Sequence, residues 1–217
     1  MKRFLYTVLT LIILNQTAFA DDKTVVGELL KSKLDAVFVV LQNKNLEQEA
    51  KNSQVIDIVA PMFDFSLMAK LTLGRKHWPG LSQANKEKFT ELFINRLKES
   101  YRDKLMLYTD EMIVYDAPLQ VKDKIHIPTN LISKGNQISM LYKLYRSTNE
   151  WKIYDIEIQG VSIISTYRSQ FDEILRNETI EDLMLKLKNR KINQPLSFTD
   201  VDYRYAISFI PSDKFLR

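Results

Sequence analysis

The side chains able to do acid–base, nucleophilic or metal chemistry are few in this chain, and they are scattered. Two histidines occur, His77 and His126, and there is no cysteine. A transition-metal site needs several nitrogen or sulfur donors converging on one point, and this pair has neither a short spacing nor a thiol to assist it. His77 stands beside Trp78, and His126 stands among Ile125, Ile127 and Pro128. Both read as surface or hydrogen-bonded polar residues, because a working site requires convergent partners. No G-x-S-x-G elbow presents a serine nucleophile. No G-x-x-x-x-G-K-[ST] or G-x-G-x-x-G loop is present to cradle a nucleotide. The chain has only five glycines, too dispersed for such a loop. Carboxylates are abundant, but none is marked out as half of an acid–base pair. We therefore expect no catalytic residue, no metal and no cofactor.

What the chain does carry is apolar and amphipathic bulk: 11 Phe, 10 Tyr, 7 Met and 2 Trp. At helical or strand spacing such residues most often fill a core. The same stock can also line a binding cavity. Methionine adapts to ligands of varied shape, and tyrosine combines an apolar body with a polar tip suited to a cavity mouth.

The elements that must position these side chains follow from periodicity. Val26, Leu30, Leu34, Val37 and Leu41 recur at spacings of four and three, an amphipathic helix that ends near Asn43 and Asn45. A second helix is expected from Leu46 to Ala60, stopping before Pro61. Asp64 can cap a third, carrying Leu67, Met68 and Leu71 and closing at Gly74. After a break at Pro79-Gly80, Ser82 caps a long helix through Phe89, Phe93, Leu97, Tyr101, Leu105 and Tyr108, roughly 40 Å at about 1.5 Å per residue. The period then changes. Met112 to Ala117, Lys124 to Ile132, Gln137 to Tyr145 and Trp151 to Ile158 read as four strands, and their short connections require antiparallel neighbours. In the third strand Ile138, Met140, Tyr142 and Leu144 share the more apolar face. Helices from Val161 to Asn177 and from Thr179 to Lys191 follow, the latter opened by a capping-box pattern at Thr179-Ile180-Glu181-Asp182. The fold class is α+β, with several helices packed against a four-stranded antiparallel sheet.

The ends differ from the middle. Lys2 and Arg3, the apolar run Phe4 to Leu14, and Ala18-Phe19-Ala20 have the layout of a cleaved export signal covering residues 1–20. That run is shorter than the ~20 residues a bilayer span needs. Residues 21–191 then form the domain, and 192–217 an extension. In the extension Tyr203, Tyr205, Ile207 and Phe209 alternate with Arg204, Ala206 and Ser208, a strand pattern that reads as an added edge strand or a segment docked on the body, with disorder as the other reading. Lys2 and Arg3 are two of the 31 basic residues, so the remainder carries 29 against 27 acids, a formal +2. That near-neutral balance argues against nucleic acid as a partner, which calls for a concentrated basic face. The run Lys186-Leu187-Lys188-Asn189-Arg190-Lys191 reads as a solvated helix end, where cations suit the dipole, ahead of the second reading, a membrane-surface contact.

Two ordered blocks carry a resemblance. Asp64-Phe65-Ser66-Leu67-Met68-Ala69, then Leu73-Gly74 and Trp78, is similar to a family pattern F-D-F-x-x-M-A-x-x-x-L-G-x-x-W. Trp151 to Phe171, W-K-I-Y-D-I-E-I-Q-G-V-S-I-I-S-T-Y-R-S-Q-F, resembles D-V-x-I-E-G-V-S followed by N-Y-R-x-Q-F. The family is MlaC, also called the toluene-tolerance auxiliary family, and the likeness runs from about Val25 to Lys188. Gln159 stands where the family has Glu, and Thr166 where it has Asn.

The resemblance implies a cone-like sheet of the nuclear-transport-factor-2 kind, enclosing an apolar cavity. It implies a periplasmic phospholipid shuttle between inner and outer membranes, maintaining outer-membrane lipid asymmetry. The implied partners are phospholipid, an inner-membrane lipid ABC transporter with its substrate-binding subunit, and an outer-membrane lipoprotein complex. Burial of a methylene is worth about 0.8 kcal/mol, so two acyl chains of about 15 methylenes would cost about 24 kcal/mol to expose. A soluble carrier must replace most of that with apolar contact, whereas the headgroup can stay in water. Periodicity and resemblance together point to Met68, Leu71, Phe93, Leu97, Tyr101, Met140, Tyr142, Leu144, Val161, Ile164 and Tyr167 as lipid-binding side chains. Arg168 has two readings: a contact to a lipid phosphate, or a structural ion pair with Asp155 or Asp172 at the core margin. Two other function classes stay open at this stage. One is an exported enzyme of the same broad fold acting on a small apolar substrate; the other is an interaction module with an ordinary dry core.

Overall fold

The computed structural model describes the backbone of residues 2–105, 112–133, 136–148 and 150–189, and the side chains of 22–100, 112–132, 136–148 and 150–189. The signal-like side chains, Tyr101, Tyr108 and the extension lie outside the side chains described. The chain forms two compact units, each made of two stretches: Met1–Asp64 with Thr109–Ile156, and Phe65–Tyr108 with Glu157–Arg217.

The first unit opens with helix α1, Lys2–Gln42, and helix α2, Gln48–Val59. Val26, Leu30, Val37 and Leu41 are the buried stripe of α1, the helical spacing of one face. Lys51 of α2 donates its Nζ to the Leu41 carbonyl at 2.8 Å, satisfying an end group that the helix itself cannot. Pro61 falls within a short 3-10 turn, Ala60–Met62. From there the chain runs beside the sheet, with the Asp64 amide donating to the Ile153 carbonyl at 3.0 Å.

The sheet strands are β1 (Met112–Tyr115), β2 (Leu119–Val121), β3 (Lys124–Ser133), β4 (Asn136–Ser147) and β5 (Glu150–Ile158). β3 and β4 pair antiparallel from Lys124↔Tyr145 to Ser133↔Asn136. Both β1 and β2 lie along the other edge of β3, in register Tyr115↔Thr129 and Leu119↔His126. The sequence separates four strands where the described residues form six, because β2 and the two-residue β6 (Val161–Ser162) are too short to show a period. Pro128 sits where β1 gives way to β2. Its carbonyl accepts from the Asp116 amide at 3.1 Å, and its missing N–H points to the same side, where no strand pairs with it. One sheet face is buried through Ile125, Ile127, Leu131, Ile138, Tyr142 and Leu144. On the opposite face of this edge Met112, Val114, Leu119 and Val121 are exposed.

The second unit contains α3 (Phe65–His77), α4 (Gln83–Leu105), β6 (Val161–Ser162), α5 (Ile163–Ile174) and α6 (Ile180–Lys188). Ser82 caps α4, accepting from the Asn85 amide at 3.2 Å. Thr179 and Asp182 form the expected capping box of α6. Val161 does not open α5, contrary to the sequence reading. Gln159 and Gly160 both have positive φ, 50° and 77°, which makes a tight hairpin turn of the kind that matches strand twist. It folds Val161 back onto Ile158 and Ser162 onto Glu157. Ser162 then caps α5, its hydroxyl accepting from the Ser165 amide at 3.0 Å. Among the described residues no helix is long and apolar enough to cross a membrane.

Candidate functional site

Within the second unit, α4 and α5 meet through rings spaced one helical turn apart. Phe89 and Phe93 lie on α4, Tyr167 and Phe171 on α5, and all four are fully buried. Phe93 meets Tyr167 edge to face at 5.3 Å between centroids, and Phe89 meets Phe171 the same way at 5.8 Å. Trp78 extends the cluster, its ring edge-on to Phe89 at 6.5 Å. Such pairs contribute about 0.5–1.5 kcal/mol each beyond the area they bury. The one polar atom on these four rings, the Tyr167 hydroxyl, lies 3.4 Å from Ser100 Oγ. Burial raises the Tyr167 pKa, with Ser100 and the Arg96 charge acting the other way. The hydroxyl is therefore a neutral group at ordinary pH.

The expected lipid-binding residues fall into both units. In the second, Met68, Phe93, Leu97, Ile164 and Tyr167 are buried, and Leu71 and Val161 are half-buried. In the first, Tyr142 and Leu144 are buried and Met140 is half-buried. Tyr142 donates its hydroxyl to Met140 Sδ at 3.8 Å, a weak acceptor, and burial pushes its pKa up. Within the set, Phe93 meets Tyr167 and Met140 meets Tyr142 directly. Phe89, Phe171 and Trp78 belong to the same aromatic cluster. Their i, i+4 spacing was the available signal, but it reads equally as core.

Arg168 has a partner that neither sequence reading gave it. Its Nε donates to the Leu71 carbonyl at 2.7 Å, and its Nη2 donates to the same oxygen. The carboxylates considered for it are engaged elsewhere: Asp155 pairs with Lys143 at 3.0 Å, and Asp172 lies 3.7 Å from His77 Nε2. The reason lies in α3. Gly74 is non-helical, with φ 67° and ψ −176°, so the backbone ladder is interrupted in the turn that contains Leu71. The guanidinium of α5 supplies donors there. The nearest atom to a Cβ built on Gly74 is Arg168 Nε at 3.7 Å, an ordinary contact. Backbone angle, not space, is what calls for glycine at this position.

Beside this latch lies an open cleft of about 960 Å³. Its apolar lining includes Leu67, Leu71, Trp78 and Pro79, and its charged lining is Lys70, Arg75, Lys76, Arg168, Arg176 and Asp172. Sequence reading singled out the basic run at the end of α6 and missed this one, because two stretches far apart in the chain, residues 67–79 and 168–176, assemble it. Among the described residues no group of three or more His, Asp or Glu is placed to hold a metal ion.

Comparison with known proteins bears on this arrangement. The family model described as MlaC protein matches residues 31–189. A curated relative, the intermembrane phospholipid transport system binding protein MlaC of Haemophilus influenzae, is 25% identical over an alignment of 208 residues, covering 89% of this chain and 95% of the relative. Among solved structures, the phospholipid-binding protein from Ralstonia solanacearum in complex with a phospholipid superposes with a TM-score of 0.68. It is 22% identical, and the match covers 75% of this chain and 94% of that one. The fold is thus shared with that protein. With the family model spanning most of its length, both motif blocks included, the chain belongs to the MlaC family.

Proposed function

We propose that this protein binds phospholipid and carries it between two membranes. The observation that carries the reading is the family match over residues 31–189, joined to a relative named for intermembrane phospholipid transport that aligns over 95% of its own length. The structural neighbour that shares the fold was solved with a phospholipid bound. The residue chemistry agrees: the side chains that dominate are apolar and aromatic, which suits acyl chains at about 0.8 kcal/mol per buried methylene.

The acyl-contacting residues proposed in the second unit are Met68, Leu71, Phe93, Leu97, Tyr101, Val161, Ile164 and Tyr167. Those proposed in the first are Met140, Tyr142 and Leu144. Arg168 is the weaker, headgroup member of the proposed set; the donation of its Nε and Nη2 to the Leu71 carbonyl supports a structural role for it over a phosphate contact. The lipid headgroup stays in water. The working compartment is the periplasm, reached by removal of residues 1–20. The partners that load and unload the carrier are an inner-membrane lipid ABC transporter with its substrate-binding subunit, and an outer-membrane lipoprotein complex.

The test is native mass spectrometry with lipid extraction, on protein from a periplasmic preparation. About one phospholipid per chain is expected, on a mature chain that begins at Asp21. Protein that arrives lipid-free and takes up no phospholipid from vesicles would remove this reading.

A further inference from the structure

The cleft beside α3 gathers more positive charge than its surroundings neutralise. Lys70, Arg75, Lys76, Arg168 and Arg176 face a single lining carboxylate, Asp172. Among the described residues Lys70, Arg75, Lys76 and Arg176 take part in no ion pair, and all four are exposed. The chain as a whole carries only +4, so this is a local concentration. Helix ends explain part of it: Arg75 and Lys76 lie in the last turn of α3, where cations suit the carbonyl end. The dipole does not explain Lys70 and Arg168, which lie inside α3 and α5. It also does not explain the apolar lining of Leu67, Leu71, Trp78 and Pro79 between these charges.

We propose that this cleft is a docking site for an acidic segment of a partner protein, one with carboxylates on both sides of an apolar anchor residue. Charge complementarity selects the acidic character, because a cationic rim steers anionic partners and rejects cationic ones. The apolar lining selects the anchor, since the apolar centre of an interface supplies affinity while the charged rim sets partner choice. Shape decides between a polypeptide and a bilayer. The site is a concavity of about 960 Å³, which a narrow chain segment can enter. A flat lipid surface would instead be met by cations on a protruding face. Asp172, 3.7 Å from His77, disfavours a carboxylate at its own end of the cleft and so gives the bound segment a direction.

The test uses the full mature chain and a labelled synthetic peptide with four glutamates around a leucine–phenylalanine pair, followed by fluorescence anisotropy. Binding is expected to weaken at least tenfold between 50 and 300 mM salt, as screening of exposed charges requires. It should also weaken at least tenfold in Arg75→Glu/Lys76→Glu. A control pair from the first unit, Lys44→Glu/Lys122→Glu, should bind as the wild type does. If the first double variant fails to fold, Lys70→Glu/Arg176→Glu reads the same cleft through other side chains. Phospholipid content, measured on the same samples, should stay at wild-type level, which separates failure of this proposal from failure of the lipid reading. No binding of the peptide, or equal loss in the control pair, would overturn the proposal. So would binding to phosphatidylglycerol vesicles with none to the peptide, which would make the cleft a membrane contact.

Discussion

Arg168 reaches from α5 to the Leu71 carbonyl of α3, with Nε at 2.7 Å and Nη2 on the same oxygen. Two donors on one carbonyl, next to a glycine with left-handed φ, make a latch across a break in a helix. The adjacent Tyr167-Arg168 pair thus resolves into two separate jobs. Tyr167 fills an aromatic cluster, and Arg168 holds the neighbouring helix in its kinked shape.

Removing the latch should cost stability. Arg168→Met leaves the carbonyl short of donors in a half-buried place, a loss of about 1–3 kcal/mol. Arg168→Lys keeps the charge but not the planar fork, so its loss should fall between methionine and wild type. Urea unfolding measures both. A methionine variant as stable as the wild type would show that the bond is decorative.

The kink itself can be tested at Gly74. With φ at 67°, Gly74→Ala places a side chain in the left-handed region, at about 1–2 kcal/mol. Gly80→Ala is the control, since its Cβ would meet nothing within 4 Å and its φ lies outside that region. Equal melting temperatures for the two variants would refute the role given to the kink.

Alkaline pH should destabilise the first unit through Tyr142. Burial raises its pKa above the ordinary 10.0. A tyrosine with a raised folded value is held neutral by the fold, so its contribution is complete below pH ~10. It is lost as pH climbs from there toward the folded value, because the unfolded chain ionises first. Melting temperature should therefore fall above pH ~10, less steeply in Tyr142→Phe. Parallel pH profiles for the two proteins would contradict this.

Acid should act on α6. The Thr179 hydroxyl and amide lower the Asp182 pKa below its ordinary 3.8. A depressed carboxylate contributes its cap above that value and loses it as pH falls through the folded value. Amide exchange at the start of α6 should accelerate below pH ~4 in the wild type. In Asp182→Asn the exchange should already be raised at neutral pH and change less with acid.

Lipid load should respond to added volume. Leu97→Trp and Val161→Trp each add bulk at proposed acyl contacts in the second unit. Bound phospholipid should drop by more than half while the protein remains folded, whereas His77→Ala and His126→Ala should leave the load unchanged. Normal lipid content in both tryptophan variants would require a different set of contacts.

Much of the fold was legible because its elements are long and periodic. The stripe of α1, the Ser82 cap, the capping box at Thr179 and the alternation along β4 each follow from one local rule. β2 and β6 were not legible. Three residues and two residues carry no period, and β6 exists only because the Gln159-Gly160 turn returns the chain. The candidate side chains were read as faces, and burial follows those faces well. What could not be read was which partner each would find. Arg168 was offered two carboxylates by the sequence and took a carbonyl, because the need was created by a backbone angle 94 residues earlier, at Gly74. The basic cleft was missed for a related reason: its cations come from α3 and from α5 with the turn after it, and no linear window contains them.

Pro128 and the two short strands beside it bear on how the chain behaves in company. The outer edge of β3 is covered by four residues of β1 and three of β2, with a proline at the join. A foreign strand arriving there meets no straight, continuous row of unpaired amides longer than one of these pieces. Edge-to-edge growth between copies needs such a row, and interruption by short strands and proline is how sheets avoid it. Met112, Val114, Leu119 and Val121 can therefore stay exposed on this edge without turning the protein into a seed for its own aggregation.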